Sequence, residues 1–232
     1  MKLRYHYFFI LIFLLFTFSL GNISAETVLP KKDIALTFDD GPYGTPTTEI
    51  LDILKKEKIN ATFFVLGENV QKYPEITKQI ILDGNVIGNH TYDHPKNLAK
   101  MSSKDFDLEL SSTENLISSV DNVKPNLFRA PYGLTSPSML KELKKDKYTL
   151  VGWSLDTQDW NYSKVTPDLI EKGVLKKVKP NSIILFHDGR DTHIDYPRDN
   201  LVKALPVVID SLRKEGYSFV TIDKLINKKA YN

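Results

Sequence analysis

The stretch Asp33-Ile-Ala-Leu-Thr-Phe-Asp-Asp-Gly-Pro42 indicates the fold of this chain most directly. Its first six residues are mainly apolar, which predicts a buried strand, and that strand leads straight into two carboxylates. Adjacent carboxylates at the end of an apolar strand are costly to bury unless an opposite charge lies beside them. Turns also use Asp, Gly and Pro often, so residues 39–42 alone fit either an ordinary turn or a charged site.

Strands and helices alternate along the rest of the chain. Short apolar runs predict six further strands, at 60–66, 86–88, 127–129, 148–154, 182–186 and 217–221. Apolar residues at helical spacing predict helices around 47–54, 73–82, 106–120, 136–143 and 201–212, and Thr166-Pro167 is typical of another helix start. This alternation implies parallel strands joined by helical crossovers. We therefore predict an α/β fold, a single distorted (β/α) barrel with seven or eight parallel strands, forming one domain at 30–228.

The composition is that of a globular protein that can bury a core without disulfides. Of its 232 residues, 41% are hydrophobic, 26% are charged and none is cysteine. The lack of cysteine excludes thiolate metal ligands and a cysteine nucleophile.

The first 25 residues have the layout of an export signal. Two basic residues precede an unbroken apolar run at 8–16, and Ser24-Ala25 offers a small-residue cleavage site. We predict a secretory signal peptide at 1–25. An uncleaved membrane anchor is the alternative, because Ile23 is not the small residue that cleavage prefers. Cleavage would remove two positive charges and bring the formal net charge from +2 to about 0, so charge does not favour nucleic acid as a partner. We expect the protein to be secreted, or held at the cell wall or the outer face of the membrane.

The segment His90-Thr-Tyr-Asp-His-Pro95 carries two of the five histidines, four residues apart. On a helical turn both imidazoles would lie on one face and could bind one metal ion. The alternative is a pair of surface histidines in a turn that ends at Pro95. Two histidines and one carboxylate leave positions open for water and substrate, as catalytic metal sites do. The spacing does not decide whether Asp39 or Asp40 would be the third ligand.

Three further segments place polar groups after predicted strands, at the edge where a β/α barrel carries its active site. Arg129 could hold a carboxylate in place or form an ordinary surface salt bridge. Trp160 could stack on a sugar or pack in the core. His187 is a candidate general acid or a core-edge histidine bonded to backbone. His193 lies outside these segments and is predicted to be a loop residue.

Taken in order, the five segments resemble the motifs of the polysaccharide deacetylases of carbohydrate esterase family 4, the NodB homology domain. The matching motifs are Thr-Phe-Asp-Asp-Gly-Pro at 37–42, His-Thr-x-x-His-Pro at 90–95, Arg-x-Pro-Tyr at 129–132, Asp-x-x-Asp-Trp at 156–160 and Leu-x-His at 185–187. Each motif alone is a weak signal. The ordered set is specific, it spans most of the chain beyond residue 25, and no catalytic position departs from the pattern.

The resemblance implies a metal site and a catalytic base. Asp40, His90 and His94 would bind one divalent metal ion, usually zinc, with cobalt, nickel or manganese as alternatives. Asp39 would be the general base, oriented and tuned by Arg129.

The resemblance also implies a catalytic acid and a substrate pocket. His187 would be the acid, with its pKa raised by a partner carboxylate, Asp159. The backbone N–H of Tyr132 would contribute to the oxyanion hole. The acetyl and sugar pocket would be lined by Pro131, Tyr132, Trp160 and Leu185.

The implied reaction is hydrolytic N-deacetylation of N-acetylglucosamine units in a cell-wall polysaccharide, with peptidoglycan favoured and acetate released. Chitin oligosaccharides, N-acetylmuramic acid and O-acetylated xylan are alternative substrates for the same site. An Fe(II) oxygenase also uses two histidines and a carboxylate, but the α/β alternation and the Asp…His-x-x-x-His order argue against it. A non-catalytic glycan binder would not need Asp39 and His187. We expect a polysaccharide as partner, no nucleic acid, no obligate protein partner and a monomer.

Overall fold

The computed structural model describes residues 31–189 and 198–232. The predicted export signal at 1–25 and His193 lie outside the described residues. Within them, eight strands form one sheet, and helices precede or follow most of the strands.

The strands are β1 (Lys32–Gly41), β2 (Thr62–Val65), β3 (Val86–Asn89), β4 (Leu127–Phe128), β5 (Thr149–Leu150), β6 (Leu155–Asp156), β7 (Ile183–His187) and β8 (Tyr217–Phe219). The helices are α1 (Gly44–Lys56), α2 (Gly67–Lys72), α3 (Pro74–Leu82), α4 (Ser103–Asp121), α5 (Pro137–Lys145), α6 (Pro167–Lys177), α7 (Asp199–Lys214) and α8 (Ile222–Leu225). Short 3-10 turns lie at Leu98–Lys100 and Pro131–Gly133.

The sheet is parallel and is organised around β1. Its strand order is β5-β4-β3-β2-β1-β7-β6, and β8 pairs with the first residues of β1. The later residues of β1 pair with β7 and with β2. The ordered path ends at β5 and at β6, so the sheet curls as an open, irregular barrel. This confirms the predicted α/β fold, a distorted (β/α) barrel of eight parallel strands.

Strand β1 lies in the interior of the sheet, between β2 and β7, and is buried on both faces. Its residues from Ile34 to Gly41 are all buried, as expected for a parallel strand covered on two sides. The ring of Phe38 stacks on Phe63 of β2 at 4.9 Å and on Phe186 of β7 at 5.6 Å between centroids. Aromatic packing across three strands therefore fixes the position from which Asp39 and Asp40 leave the sheet.

The predicted helices and their starts are confirmed. Helix α1 buries Thr47, Ile50, Leu51 and Leu54, the residues whose spacing predicted it. Ser136 and Thr166 cap α5 and α6, because each side chain accepts a hydrogen bond from the backbone N–H three residues later. Helices α2 and α8, of six and four residues, were not predicted, since such short segments show little periodicity.

The predicted strand at 148–154 is wrong in extent. The structure has two separate two-residue strands, β5 and β6, with residues 151–154 between them. The carbonyls of Val151 and Gly152 accept hydrogen bonds from the Arg129 guanidinium, at 3.4 and 3.0 Å. Two carbonyls of this segment therefore bind a buried cation, while the backbone N–H groups of Val151 and Ser154 donate to Phe128 of β4 and Ile183 of β7.

No helix within the described ranges is long and apolar enough to span a bilayer.

Candidate active site

Parallel register brings the ends of two pairs of neighbouring strands, on either side of β2, to the same edge of the sheet. Asp39 on β1 lies beside His187 on β7, and Asn89 on β3 lies beside Phe128 on β4. His90 and Arg129 each follow one of those paired residues. The polar segments that follow the predicted strands therefore meet at the carboxyl edge of the sheet, as the barrel fold requires.

A cavity of about 350 Å³ opens at this edge. It is lined by eight of the predicted site residues, namely Asp39, Asp40, His90, His94, Tyr132, Trp160, Leu185 and His187. Four further residues complete the lining: Ala130, Trp153, Asp156 and Arg198. Arg129 and Asp159 are buried and contact lining residues from behind. Pro131 is buried at the start of a 3-10 turn and is not among the lining residues. A larger cavity, of about 410 Å³, lies between α4 and α5 and contains none of the predicted residues.

A bulge at the end of β1 explains how two successive carboxylates reach one cavity. In a regular strand, neighbouring side chains point to opposite faces. Here the register with β2 shifts between Asp39 and Gly41, and Asp40 has a φ of 71°. An extra residue of this kind re-aims the side chains around it. The side-chain amide of Asn69 donates to the Asp40 carbonyl at 2.7 Å and fixes the distorted backbone.

Two glycines permit close approach of β1 and the segment after β7. A Cβ on Gly41 would lie 2.1 Å from a carboxylate oxygen of Asp188, and one on Gly189 would lie 1.7 Å from the Asp40 carbonyl oxygen. Any larger residue at either position would push the two segments apart. The glycines of Asp-Asp-Gly and His-Asp-Gly are therefore needed for the site to close.

Arg129 and Asp39 form a buried ion pair. The Arg129 Nη1 group donates to Asp39 Oδ1 at 2.7 Å and to the Thr37 hydroxyl oxygen at 2.8 Å. Arg129 is fully buried, and its guanidinium lies 4.1 Å from the centroid of the Phe64 ring. The alternative of a surface salt bridge is wrong. The Arg129 guanidinium donates to four described acceptors, so it holds Asp39 Oδ1 in one place. The other carboxylate oxygen, Oδ2, faces His90 and lies 3.7 Å from His90 Nε2.

Asp40, His90 and His94 present three ligand atoms to one point. Asp40 Oδ1 lies 3.5 Å from His90 Nε2 and 3.5 Å from His94 Nε2. Ligands about 2.0–2.1 Å from a tetrahedral zinc ion are roughly 3.3 Å apart, which is close to the distances here. Asp40 Oδ1 is buried and has no hydrogen-bond partner within the part of the chain that the structure describes. A buried carboxylate oxygen without a donor fits a cation, so the donor set suits a divalent metal ion.

A hydrogen bond at Nδ1 of His90 leaves Nε2 as the ring nitrogen that faces Asp40 Oδ1. The Nδ1–H group of His90 donates to the Arg129 carbonyl at 2.7 Å, because a carbonyl can only accept. In the neutral imidazole Nε2 therefore carries the lone pair, as in metal-binding histidines whose other nitrogen is held by the protein. Burial alone would lower the pKa of His90, but the Asp39 and Asp40 carboxylates raise it above its ordinary value. The carboxylates thus favour positive charge at this point.

The two histidines lie on a loop, so the helical turn on which the spacing argument depended is not present. Thr91 and His94 have φ values of 74° and 58°, which a helix does not use. The Asn89 side chain accepts from the Thr91 N–H at 2.9 Å, and the Thr91 hydroxyl accepts from the His94 N–H at 3.2 Å. Both histidines are buried, which also excludes the alternative of surface histidines. The spacing of four reaches one point through local hydrogen bonds instead of helical geometry.

His187 and Asp159 form the second buried pair. His187 donates from Nδ1–H to Asp159 Oδ1 at 3.0 Å and from its backbone N–H to Oδ2 at 2.9 Å. Burial alone would lower the pKa of His187, but the Asp159 carboxylate raises it to about 9. Burial would likewise raise the pKa of Asp159, but the charge of His187 holds it below its ordinary value. His187 is therefore a protonated donor at neutral pH, not a core-edge histidine bonded to backbone carbonyls.

Aromatic and apolar side chains form the wall of the cavity. Tyr132 has a φ of 55°, and its ring packs edge-on against His94 at 4.5 Å between centroids. Trp160 is 43% exposed, so the alternative of core packing is wrong for this residue. Leu185 is buried. This wall suits a ligand that is partly apolar and partly open to solvent.

Sequence reasoning missed three residues of the site. Trp153 packs over Gly133, where a Cβ would lie 3.1 Å from its ring. Its signal was available, because it is one of two tryptophans and precedes the Asp-x-x-Asp-Trp segment.

Asp188 accepts from the Thr47 hydroxyl at 2.6 Å, and that hydroxyl accepts from the Tyr43 N–H at 2.7 Å. Burial raises the pKa of Asp188 to about 7. Arg198 reaches the cavity from the start of α7 and carried no sequence signal.

Comparison with known proteins identifies the family. The family model for polysaccharide deacetylase matches residues 26–151, more than half of the chain. A peptidoglycan-N-acetylglucosamine deacetylase from Bacillus cereus is 40% identical over 195 residues, which cover 84% of this chain and 68% of the relative. The peptidoglycan-N-acetylglucosamine deacetylase PgdA of Listeria monocytogenes is 34% identical over 199 residues, which cover 86% of this chain and 40% of that longer protein.

A solved structure shows the same similarity. The crystal structure of a peptidoglycan N-acetylglucosamine deacetylase in complex with 4-naphthalen-1-yl-N-oxidanyl-benzamide superimposes with a TM-score of 0.81 and 38% identity. The match covers 88% of this chain and 92% of that one. The chain therefore belongs to the polysaccharide deacetylase family and is a hydrolase that acts on amide bonds.

Proposed function

We propose that this protein removes the N-acetyl group from N-acetylglucosamine units of a cell-wall polysaccharide, with peptidoglycan as the first substrate. One observation carries this proposal. The Asp39 carboxylate, the ligand atoms of Asp40, His90 and His94, and the His187 imidazole line one cavity. Asp39 and His187 are register partners on β1 and β7. Amide hydrolysis needs a proton acceptor for water and a proton donor for nitrogen on either side of the acetyl carbon.

Asp40, His90 and His94 are the residues that we assign to a divalent metal ion. We name zinc first and keep cobalt, nickel and manganese as alternatives, since the donor set of two imidazoles and a carboxylate accepts all four. A metal ion held by these three residues would supply two effects, a lower pKa of water and polarisation of the acetyl carbonyl.

Asp39 is the base in this scheme. Its Oδ1 is bonded to Arg129, so Oδ2, the oxygen nearer to His90, is the atom that we assign to the proton of the attacking water. The fixed guanidinium prevents the carboxylate from rotating away. Because the position of a base decides its efficiency before its pKa does, Arg129 acts here as a positioning residue.

Tyr132 is proposed to stabilise the oxyanion through its backbone N–H. The residue lines the cavity next to His94. Its left-handed backbone turns the chain at the rim of the cavity. Removal of one such donor typically raises the barrier by about 2.7–4 kcal/mol.

His187 completes the reaction as the acid. An amide nitrogen cannot leave as an anion, so it needs a proton as the carbon–nitrogen bond breaks. The Asp159 carboxylate keeps His187 protonated. Asp159 also accepts hydrogen bonds from the ring Nδ1–H and the backbone N–H of His187, which fixes the orientation of the ring. The products are acetate and a glucosamine unit.

The wall of the cavity supports a sugar substrate. Trp160 is half-exposed at the rim and Trp153 lies in the lining. Flat indole faces of this kind can pack on the apolar face of a pyranose. The names of the relatives support peptidoglycan N-acetylglucosamine as the first choice. Chitin oligosaccharides, N-acetylmuramic acid and O-acetylated xylan remain the competing substrates.

Acetate release across a substrate panel tests the proposal. The zinc-loaded protein is incubated with peptidoglycan, N-acetylchitooligosaccharides and acetylated xylan, each with and without a chelator. We expect acetate from the N-acetylated polymers, fastest from peptidoglycan, and its loss on chelation. Release from xylan alone would point to an esterase, and no release from any N-acetylated substrate would overturn the proposed function.

We also propose that the protein acts outside the cell. The support is the basic start and the apolar run at 8–16, followed by Ser24-Ala25. Fractionation of the expressing cell and determination of the N-terminal residue of the exported protein test this proposal. An N-terminus at Glu26 would show a cleaved signal, an intact N-terminus in the membrane would show an anchor, and protein found only in the cytoplasm would refute export.

A further inference from the structure

Arg198 is a buried cation in the cavity that the mechanism above does not use. It precedes α7, is only 4% exposed, and lines the same cavity as Asp39, Asp40 and His187. Its Nε–H group donates to the Gly189 carbonyl at 2.6 Å. Its Nη1 group is buried and has no hydrogen-bond partner among residues 31–189 and 198–232.

An unpaired N–H of a buried guanidinium calls for an acceptor from outside the protein. Leaving such a donor unsatisfied is unfavourable, and hydrogen bonds from charged donors are stronger than those from neutral ones. The partners of Arg129 show the contrast, because its nitrogens bond to the Asp39 carboxylate, the Thr37 hydroxyl and two carbonyls. Among the described residues, the hydrogen bond of Arg198 is made by Nε, so Nη1 keeps its capacity for an acceptor that enters the cavity.

The anchor of Arg198 places it on the side of the leaving group. Gly189 follows His187 by two residues, and Arg198 is bonded to its carbonyl. The charge of Arg198 also acts on both Asp159 and His187. Since His187 gives its proton to the departing nitrogen, the sugar carbon that bears this nitrogen and its two ring neighbours, at positions 1 and 3, belong on this side. The oxygen at position 1 is taken up in the glycosidic bond of the polymer, whereas position 3 of N-acetylglucosamine carries a free hydroxyl.

We propose that Arg198 is a substrate-binding residue whose Nη1 group donates a hydrogen bond to the oxygen at the 3-position of the deacetylated sugar. This inference rests on the proposed function. The acceptor can be the free hydroxyl of N-acetylglucosamine or the ether oxygen that carries the lactyl group of N-acetylmuramic acid. The shared chemistry is an oxygen acceptor next to the acetamido carbon.

Paired substrates and variants test this inference with the zinc-loaded full chain. The substrates are an N-acetylchitooligosaccharide, its analogue with hydrogen in place of the 3-hydroxyl at the reacting unit, and its analogue with a 3-O-lactyl group there. The variants are Arg198→Met and, as a control, Lys203→Met, which removes an exposed cation from the same helix. Both kcat and KM for acetate release are measured, and circular dichroism checks the fold.

Loss of the charged hydrogen bond is expected to lower kcat/KM for the hydroxyl substrate by about 10- to 100-fold in Arg198→Met. The 3-deoxy analogue should show the same loss with the wild type and little further loss with the variant, because the partner atom is already absent. Lys203→Met should behave as the wild type on every substrate. If the lactyl analogue is processed as well as the hydroxyl substrate, the ether oxygen also serves as the acceptor.

Other outcomes overturn the inference. Equal losses on the hydroxyl and 3-deoxy substrates would show that Arg198 acts through the fold or the acid pair, and no loss at all would show that it binds nothing. If Arg198→Met does not fold, Arg198→Lys takes its place, with the same loss expected because one ammonium cannot serve both Gly189 and the substrate. An inactive wild type would refute the proposed function itself, and this inference with it.

Discussion

Substitution of Asp159 by asparagine removes the charge that keeps His187 protonated while preserving shape. Asp159 accepts from both Nδ1–H and the backbone N–H of His187, and its carboxylate is the group that raises the His187 pKa to about 9 against the opposing effect of burial. Loss of an adjacent buried charge shifts a pKa by about 1–3 units. We expect the pKa of His187 to fall by that amount, and a fall of about two units corresponds to roughly 2.7 kcal/mol.

The pH dependence of kcat/KM for acetate release measures this shift. Because the acid must be protonated, activity is lost as pH rises through the pKa of His187, and Asp159→Asn should move that alkaline limb to lower pH. A bound divalent cation would shift the alkaline limb to lower pH in both proteins. The quantity to compare is therefore the difference between the alkaline pKa values of the wild type and Asp159→Asn. Asp156→Asn, which neutralises a carboxylate bonded to the Gln158 N–H, is the control and should leave the limb in place. An alkaline limb that does not move in Asp159→Asn would refute the role of His187 as acid.

Two further predictions concern stability. Arg129→Met leaves the Asp39 carboxylate buried without its cation, so we expect the free energy of unfolding in urea to fall by about 3–5 kcal/mol; a fall below about 1 kcal/mol would contradict the buried ion pair. Burial raises the pKa of Asp188 to about 7, so the folded chain binds this proton more tightly than the unfolded chain, and the free energy of unfolding falls as pH rises from about 4 to 7. Asp188→Asn should flatten that slope relative to the wild type, and an unchanged slope would show that another group causes it.

The elements and most of the site could be predicted because each depends on local signals. Apolar runs mark β1, β2 and β7, and the caps at Ser136 and Thr166 mark helix starts. In a parallel sheet, residues that follow strands meet at one edge, so the order of segments already places His90 and His187 together. The metal ligands themselves were assigned by resemblance, and the converging distances at Asp40 support that assignment.

The remaining features depend on contacts between distant segments. The bulge at Asp40 depends on a hydrogen bond from the Asn69 side chain and on Gly189, whose backbone lies against the Asp40 carbonyl. Neither Asn69 nor Gly189 has a sequence signature. The strand predicted at 148–154 is interrupted because its carbonyls bond to Arg129, twenty or more residues earlier. Arg198 lines the cavity and is held there by a hydrogen bond from its Nε–H group to the Gly189 carbonyl after β7. Such tertiary hydrogen bonds override local propensity.

The most direct test of the account separates metal binding from proton transfer at the two adjacent carboxylates. Zinc stoichiometry and acetate release are measured side by side for the wild type, Asp39→Asn and Asp40→Asn. Since only Asp40 Oδ1 lies at 3.5 Å from both histidine nitrogens, Asp39→Asn should bind one zinc ion and release no acetate, whereas Asp40→Asn should lose the zinc ion. Full turnover by zinc-loaded Asp39→Asn would contradict the central claim that Asp39 takes the proton from water.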